Sequence, residues 1–245
     1  MPWFNIMIYQ PATDWILGYP DQARTSQAAA YEFARQMNQP AMEAIVRVYA
    51  GIGLDEFLLD VPGLRANACA ITELAEQHNL MHYFWLNGQL TMGWVMARQG
   101  EVEARLELMR RSVTERGATE ARWYQPRYLC MLAESYLWHG RAEEGLIAVA
   151  EADEHMTQTD QYIWAAEIKR VEGELRRLSG ASPDEAETYF QRALTIAREQ
   201  KAKSFELRAV MSLARLWRDH GRHSDAHALL APVYAWLRRG SIRPT

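Results

Sequence analysis

Small residues recur along this chain at an almost constant interval of forty positions. They are Gly53, Gly93, Ala133, Gly173 and, forty-one residues later, Ala214. A turn signal follows seven residues after each one, at Asp60–Gly63, Gly100, Gly140, Gly180 and Gly221. A repeat of this length with one central turn is typical of helix pairs that stack into a solenoid. We therefore predict an all-α fold, a right-handed α-α superhelix of helical hairpins.

The spacing predicts one solenoid domain over residues 1–245. Its units are 1–39 (partial), 40–79, 80–119, 120–159, 160–202 and 203–240. Each unit of such an array buries its apolar face on its neighbours, so no closed core is needed. Around Gly93 the apolar residues cover more than one face of the helix, which indicates that neighbouring helices enclose it.

Two regions of the N-terminal units are expected to depart from regular helix. Pro2 and Pro11 argue against an uninterrupted first helix before the turn at Gly18. Gly51 and Gly53 fall within a helix of the second unit, where each costs about 1 kcal/mol relative to alanine. We expect a frayed or bent helix there.

Two helices of the C-terminal units carry clear boundary signals. Ser182 precedes Pro183 and two acids, which is the favoured order of a helix cap, a first-turn proline and negative charge. Pro232 interrupts the last helix, which is therefore expected to kink or to end near Ala231.

Composition places the chain among folded proteins. Apolar residues make up 49% of it and charged residues 24%, values typical of globular domains. No apolar run approaches the roughly 18 residues of a membrane span, and the N-terminus lacks the basic start of a secretory signal. Cys69 and Cys130 have no metal-ligand spacing and are interpreted as reduced core thiols. We expect a cytoplasmic protein with no membrane partner.

Charge is distributed unevenly between the two ends of the chain. Residues 1–161 hold 12 Arg and no Lys against 21 acids, a net charge of −9. Residues 162–245 hold 15 basic and 10 acidic residues, a net charge of +5. The overall charge of −4 argues against direct nucleic-acid binding. The asymmetry could orient a charged partner, or it could be the ordinary drift of surface charge along an array.

Units three to six resemble the tetratricopeptide repeat, in a form longer than the usual thirty-four residues. The segments 186–194, 204–209, 212–219 and 229–234 further resemble the C-terminal repeat region of large bacterial signalling ATPases, and the resemblance covers about residues 15–238. In that family the repeats follow an ATPase module and often a class III adenylate or guanylate cyclase domain. The resemblance implies a sensor or interaction module, and it carries no enzymatic residue onto this chain. We interpret the sequence as part of a longer array.

The phase of the repeat selects candidate binding residues. If the helices stack as in tetratricopeptide arrays, residues six before and one after each small position face a concave groove. The candidate groove residues are Arg47, Asn87, Trp94, Arg127, Glu134, Arg208 and Arg215. Arginine forks match carboxylates and tryptophan is a rigid apolar anchor, so an extended peptide is the expected ligand. Alternatively, these side chains solvate the groove or pair with Glu134 and Glu174 on adjacent helices.

No constellation of residues predicts catalysis or metal binding. His223 and His227 have zinc-ligand spacing, with Asp225 or His220 nearby, but histidines exposed around a turn explain them better. His78 and His82 share the spacing across a unit boundary. Neither cysteine lies in a nucleophile motif. We therefore predict no catalytic, metal or cofactor-binding residues and no enzyme activity.

The sequence thus predicts a non-catalytic protein or peptide interaction module of a bacterial regulatory system. One alternative is a small-molecule sensor with a pocket lined by Trp85, Trp94, Tyr128 and Trp164. Another is a structural or oligomerisation piece of a split signalling ATPase. The identity of the partner stays open, as does self-association into a homo-oligomer.

Overall fold

A computed structural model describes residues 2–98, 103–117 and 124–240 of the chain. Every regular element in these ranges is helical and none is a β-strand, which confirms the predicted all-α class. No helix in the same ranges is long and apolar enough to cross a membrane. The predicted turn at Gly100 lies outside them. The superhelical arrangement of the hairpins stays a prediction.

The helices group into two compact units. The first comprises Met1–Trp15 and Tyr19–Arg122, and the second Ile16–Gly18 and Trp123–Thr245. The N-terminal helices are α1 (Pro2–Ile16), α2 (Pro20–Met37), α3 (Pro40–Val46), α4 (Gly53–Asp55), α5 (Val61–Gln77), α6 (His82–Ala97) and α7 (Glu103–Gly117). A π-helical stretch, Arg47–Ile52, joins α3 to α4. Helix α6 packs against both α5 and α7.

The second unit consists of three helical hairpins. Their helices are α8 (Gln125–Trp138), α9 (Ala142–Thr159), α10 (Ala165–Leu178), α11 (Pro183–Glu199), α12 (Lys203–Asp219) and α13 (His223–Gly240). Each helix packs against the next one in sequence, and α10 also packs against both α8 and α12. The first helices of the three hairpins therefore form a continuous row.

Small residues and turn glycines occupy the places that the repeat predicts. Gly140, Gly180 and Gly221 all have positive φ angles, of 73°, 88° and 78°. A Cβ atom on Gly93 would come within 2.5 Å of Met109 Cγ, and one on Gly173 within 2.6 Å of Phe190 Cε1. At Gly93 and Gly173 the forty-residue interval thus marks close helix–helix contacts, as predicted.

The expectation that no uninterrupted helix precedes Gly18 is wrong. Helix α1 extends over 15 residues with Pro11 inside it. A proline in the interior of a helix removes one backbone hydrogen bond and costs about 3 kcal/mol. Burial opposes this cost, because Ile8 and Trp15 lie in the core and the Trp15 ring stacks on Phe57 at 4.2 Å. Tertiary packing here outweighs the local preference of proline.

The structure decides two other expected irregularities. At the predicted frayed or bent helix around Gly51 and Gly53, the backbone is irregular in another way, because Arg47–Ile52 is π-helical rather than α-helical. Helix α13 does not end before Pro232 but continues to Gly240. The boundary signals at Ser182 are confirmed, since its side chain accepts a hydrogen bond from the Glu185 N–H at 3.2 Å.

Candidate functional site

Four charged side chains meet on the row formed by α8, α10 and α12. Arg170 Nη2 donates hydrogen bonds to Glu134 Oε1 and Glu167 Oε1. Arg208 Nη2 lies 3.0 Å from Glu134 Oε1 and 2.7 Å from Glu167 Oε1. We call Glu134, Glu167, Arg170 and Arg208 the charged cluster. It links three helices through two pairs of opposite charges.

Burial makes the charged cluster an unusually strong electrostatic unit. Glu167 and Arg170 are both buried. Burial opposes the ionisation of Glu167, yet the guanidinium groups of Arg170 and Arg208 lower its pKa below the ordinary value. Burial also opposes the charge of Arg170, but Glu167 and Glu134 raise its pKa. Glu167 and Arg170 are therefore both charged at neutral pH.

Arg208 and Arg215 are partly accessible cations of this helical row. Their side chains are 24% and 48% exposed, respectively. Arg215 Nη2 donates to Ser212 Oγ at 3.2 Å and lies 3.7 Å from Glu174 Oε1. Within the described ranges, Nη2 makes the hydrogen bonds and ion pairs of both residues. Both side chains keep part of their surface exposed, so a ligand carboxylate can contact them.

Arg127 does not line an open groove, which corrects its assignment as an accessible ligand contact. Its side chain is buried, and its guanidinium carbon lies 5.6 Å from the Trp164 ring centroid and 5.9 Å from that of Tyr124. Such cation–π contacts stabilise a desolvated arginine. Arg127 therefore packs within the aromatic core at the start of α8.

Asn87 and Trp94 are also core residues rather than groove residues. Both are 0% exposed. Asn87 Nδ2 donates to the Tyr83 carbonyl oxygen at 2.7 Å, and the Arg98 guanidinium lies 5.6 Å from the Trp94 ring centroid. Because α6 is apolar on most sides and lies against α5 and α7, its position one residue after Gly93 faces the interior. This burial corrects the expectation that both side chains contact a ligand.

Arg47 borders a small cavity in the first unit. Its Nε donates to Glu43 Oε1 at 2.9 Å and its Nη1 to Asn67 Oδ1 at 3.1 Å. The cavity measures about 280 Å³ and is lined by Tyr31, Ala34, Arg35, Glu43 and Arg47. Arg47 is thus the one N-terminal candidate that the structure leaves partly accessible.

A buried polar network next to Arg47 was not predicted. The Asp55 carboxylate accepts hydrogen bonds from Gln27 Nε2 and Asn67 Nδ2, both at 2.9 Å, and from Arg24 Nη1 at 3.1 Å. Burial raises the pKa of Asp55 despite these donors. Polar residues such as Asp55 and Asn67 within an apolar helical pattern were the available signal, but the pattern alone does not reveal that they meet.

The side chains of this network leave no room for a side chain at Gly51. A Cβ atom at Gly51 would clash with the Tyr31 hydroxyl and approach Asn67 Nδ2 to 2.8 Å. We expect Gly51→Ala to lower the free energy of unfolding by about 1–3 kcal/mol, as overpacking does in other cores. Urea unfolding measures the loss. Adding Tyr31→Phe, which removes the clashing oxygen, should recover part of it; no recovery would contradict the steric explanation.

The aromatic residues of the proposed small-molecule pocket are mainly core residues. Trp94, Tyr128 and Trp164 are buried. Trp164 lies with its ring centroid 6.0 Å from that of Phe205, on α12. Trp85 is half-buried, and its Nε1 donates to Glu76 at 3.2 Å. Packing within each unit accounts for these rings.

The histidine and cysteine candidates lie in different environments in the structure. His223 and His227 line a groove between α12 and α13. No group of three or more His, Cys, Asp or Glu side chains in the described ranges is arranged to hold a metal ion. Cys130 is buried as predicted, whereas Cys69 is exposed, which corrects its assignment to the core.

Comparison with known proteins adds no family to this description. No protein-family model matches the chain. No characterised protein matches its sequence at a significant level either. The resemblance to tetratricopeptide arrays therefore rests on the repeat itself.

Proposed function

We propose that this chain is a non-catalytic interaction module that binds an extended, carboxylate-bearing peptide segment along the row formed by α8, α10 and α12. The observation that carries the proposal is the pairing of Arg208 with the acids Glu134 and Glu167. This pairing holds Nη2 of Arg208 in place while the side chain stays 24% exposed. A guanidinium held in position binds a carboxylate at a smaller entropic cost than a freely rotating one.

The position of Arg215 supports the same ligand. It lies seven residues after Arg208 on α12, two helical turns along the same face. An extended peptide spans about 10 Å with three residues, which matches two turns of helix. Carboxylates at every second or third peptide residue can therefore reach both arginines. The regulatory and cytoplasmic setting implied by the resemblance belongs to this proposal.

The alternatives have less support. Three of the four aromatic residues invoked for a small-molecule sensor are buried. The 280 Å³ cavity beside Arg47 falls slightly below the usual size of small-molecule sites, about 300–1,000 Å³. A purely structural role predicts that neutralising Arg208 and Arg215 changes no binding at all, so the same experiment separates it from peptide recognition.

Fluorescence anisotropy with a labelled dodecapeptide of alternating aspartate and leucine tests the proposal. We expect Arg208→Gln combined with Arg215→Gln to weaken binding at least tenfold, because charge-assisted hydrogen bonds contribute about 1.5–3 kcal/mol each and about 1.4 kcal/mol is tenfold. Arg192→Gln, an exposed arginine on α11, is the matched control. Asparagine in place of aspartate should abolish the binding. Equal affinity of the double variant and the control would refute the proposal.

A further inference from the structure

A groove between α12 and α13 has an apolar floor and a basic rim. It measures about 330 Å³. We call it the α12–α13 groove, and its lining residues are Met211, Ala214, Arg215, Arg218, His223, Ala226, His227 and Leu230. On each helix these residues follow the spacing i, i+3, i+4, i+7, which places them on one face. Met211 is 39% exposed although it is apolar.

The preceding hairpin shows what such a groove binds. Helix α12 packs against both α10 and α11. Its apolar side chains Val210 and Leu213 join Phe190 of α11 in one core cluster. Helix α12 therefore already occupies the groove between α10 and α11.

Two charged residues of α10 meet charged or polar residues of the helix that it receives. Glu174 Oε1 accepts a hydrogen bond from Ser212 Oγ at 2.8 Å and lies 3.7 Å from Arg215 Nη2. Arg177 Nη1 lies 3.9 Å from Asp219 Oδ2. An acid at 174 is thus matched by a base on the incoming helix, and a base at 177 by an acid.

In the α12–α13 groove, the repeat places an arginine at the position that corresponds to the acid Glu174. The last repeat interval of forty-one residues relates Glu174 to Arg215 and Arg177 to Arg218. A helix seated there as α12 is seated on α10 would meet two arginines. It would need acids at both matching positions, four residues and hence about one helical turn apart.

We propose that the α12–α13 groove binds a helix of another protein whose docking face carries two carboxylates one turn apart beside small apolar side chains. Charge complementarity favours this occupant over the chain's own C-terminal residues, since 241–245 contain one arginine and no acid. Apolar anchors on the floor and carboxylates at the rim together match a helix-in-groove mode of recognition. This site shares Arg215 with the extended-peptide row, but its partner is helical and Arg218 belongs to it alone.

Peptides copied from α12 provide the probe. One carries the 17 residues Lys203–Asp219, and the other carries the same residues with Arg215→Glu. We expect the wild-type chain to bind the Arg215→Glu peptide at least tenfold more tightly in anisotropy measurements. The preference should reverse when the chain itself carries Arg215→Glu, because that change restores the acid found at Glu174. Equal affinities for the two peptides in both backgrounds would overturn the proposal.

A second variant keeps the test independent of Arg215. Arg218 is 59% exposed, so Arg218→Glu should leave the fold intact while weakening the Arg215→Glu peptide at least tenfold. Unchanged binding would overturn the proposal. The Arg208→Gln variant should bind the helical peptide like wild type. A failure of the extended-peptide proposal can therefore be distinguished from a failure of the groove proposal.

Other occupants would give other results. Concentration-dependent dimers in sedimentation, lost with Arg218→Glu, would identify a second copy instead and overturn the proposal. So would a tenfold gain in peptide affinity on removing residues 241–245, or tighter binding of single-stranded DNA than of either peptide.

Discussion

Replacing Arg170 by methionine should lower the free energy of unfolding of the second unit by about 3 kcal/mol or more. Methionine retains much of the side-chain volume, so the change chiefly removes charge. Glu134 and Glu167 would then share Arg208 alone, while Glu167 stays buried. Removing one partner of a buried ion pair typically costs about 3–5 kcal/mol, because the remaining charge is desolvated without compensation.

Hydrogen exchange is the appropriate measurement, because the chain contains two compact units and a single free energy of unfolding need not describe both. Amides of α8, α10 and α12 should lose protection, while those of α5 and α6 keep theirs. Arg192→Met, a substitution of an exposed arginine on α11, is the control. It should cost less than about 0.5 kcal/mol, because surface substitutions usually change stability little. A loss of less than about 1 kcal/mol in Arg170→Met would mean that the charged cluster contributes little.

The pH dependence gives a second readout of the same cluster. Because the pKa of Glu167 is lowered in the folded state, its contribution is present above about pH 4.5 and is lost as the pH falls through the lowered value. Without Arg170, only the guanidinium of Arg208 opposes the effect of burial, which raises the pKa of Glu167. The acid-side loss of stability should therefore be smaller in Arg170→Met than in wild type. An identical acid dependence would show that Glu167 draws its stabilisation from elsewhere.

The repeat phase predicted much of this cluster but not its core member. Glu134, Glu167 and Arg208 occupy the two rows that the phase selects, and the alternative of pairing across adjacent helices describes the contacts of Arg208 and Arg215. Arg170 lies outside both rows, yet it contacts both acids. Periodicity locates residues on a face, whereas the reach of a long arginine side chain depends on tertiary distances that the sequence does not contain.

The same phase fails in the first unit for a reason that the sequence already contains. Tetratricopeptide geometry placed Trp94 and Asn87 in a groove, but the apolar residues of α6 surround the whole helix. That composition predicts a helix enclosed on all sides, as the structure shows for Trp94. For these two residues the local composition is a better guide than the general pattern of the family. The π-helical stretch and the Asp55 network similarly depend on contacts between helices distant in sequence.

Trp94→Ala should therefore act on stability and not on ligand binding. The side chain is completely buried in α6, between α5 and α7. Truncating a buried tryptophan removes its transfer free energy and leaves a cavity, and such changes cost about 3–5 kcal/mol. We expect amides of α5, α6 and α7 to lose protection in hydrogen exchange while those of α10 and α12 stay unchanged.

Two comparisons separate this role from that of a surface anchor. Trp138→Ala truncates a tryptophan that is partly exposed on α8, and it should cost far less than Trp94→Ala. Trp94→Phe keeps an aromatic ring and should recover more than half of the loss, since the cost follows the volume of the cavity. A groove anchor would behave in the opposite way: Trp94→Ala would leave the protection of α6 intact and weaken the aspartate–leucine peptide. Because no solvent reaches the ring in the folded first unit, that outcome would require α6 to expose it before any ligand binds.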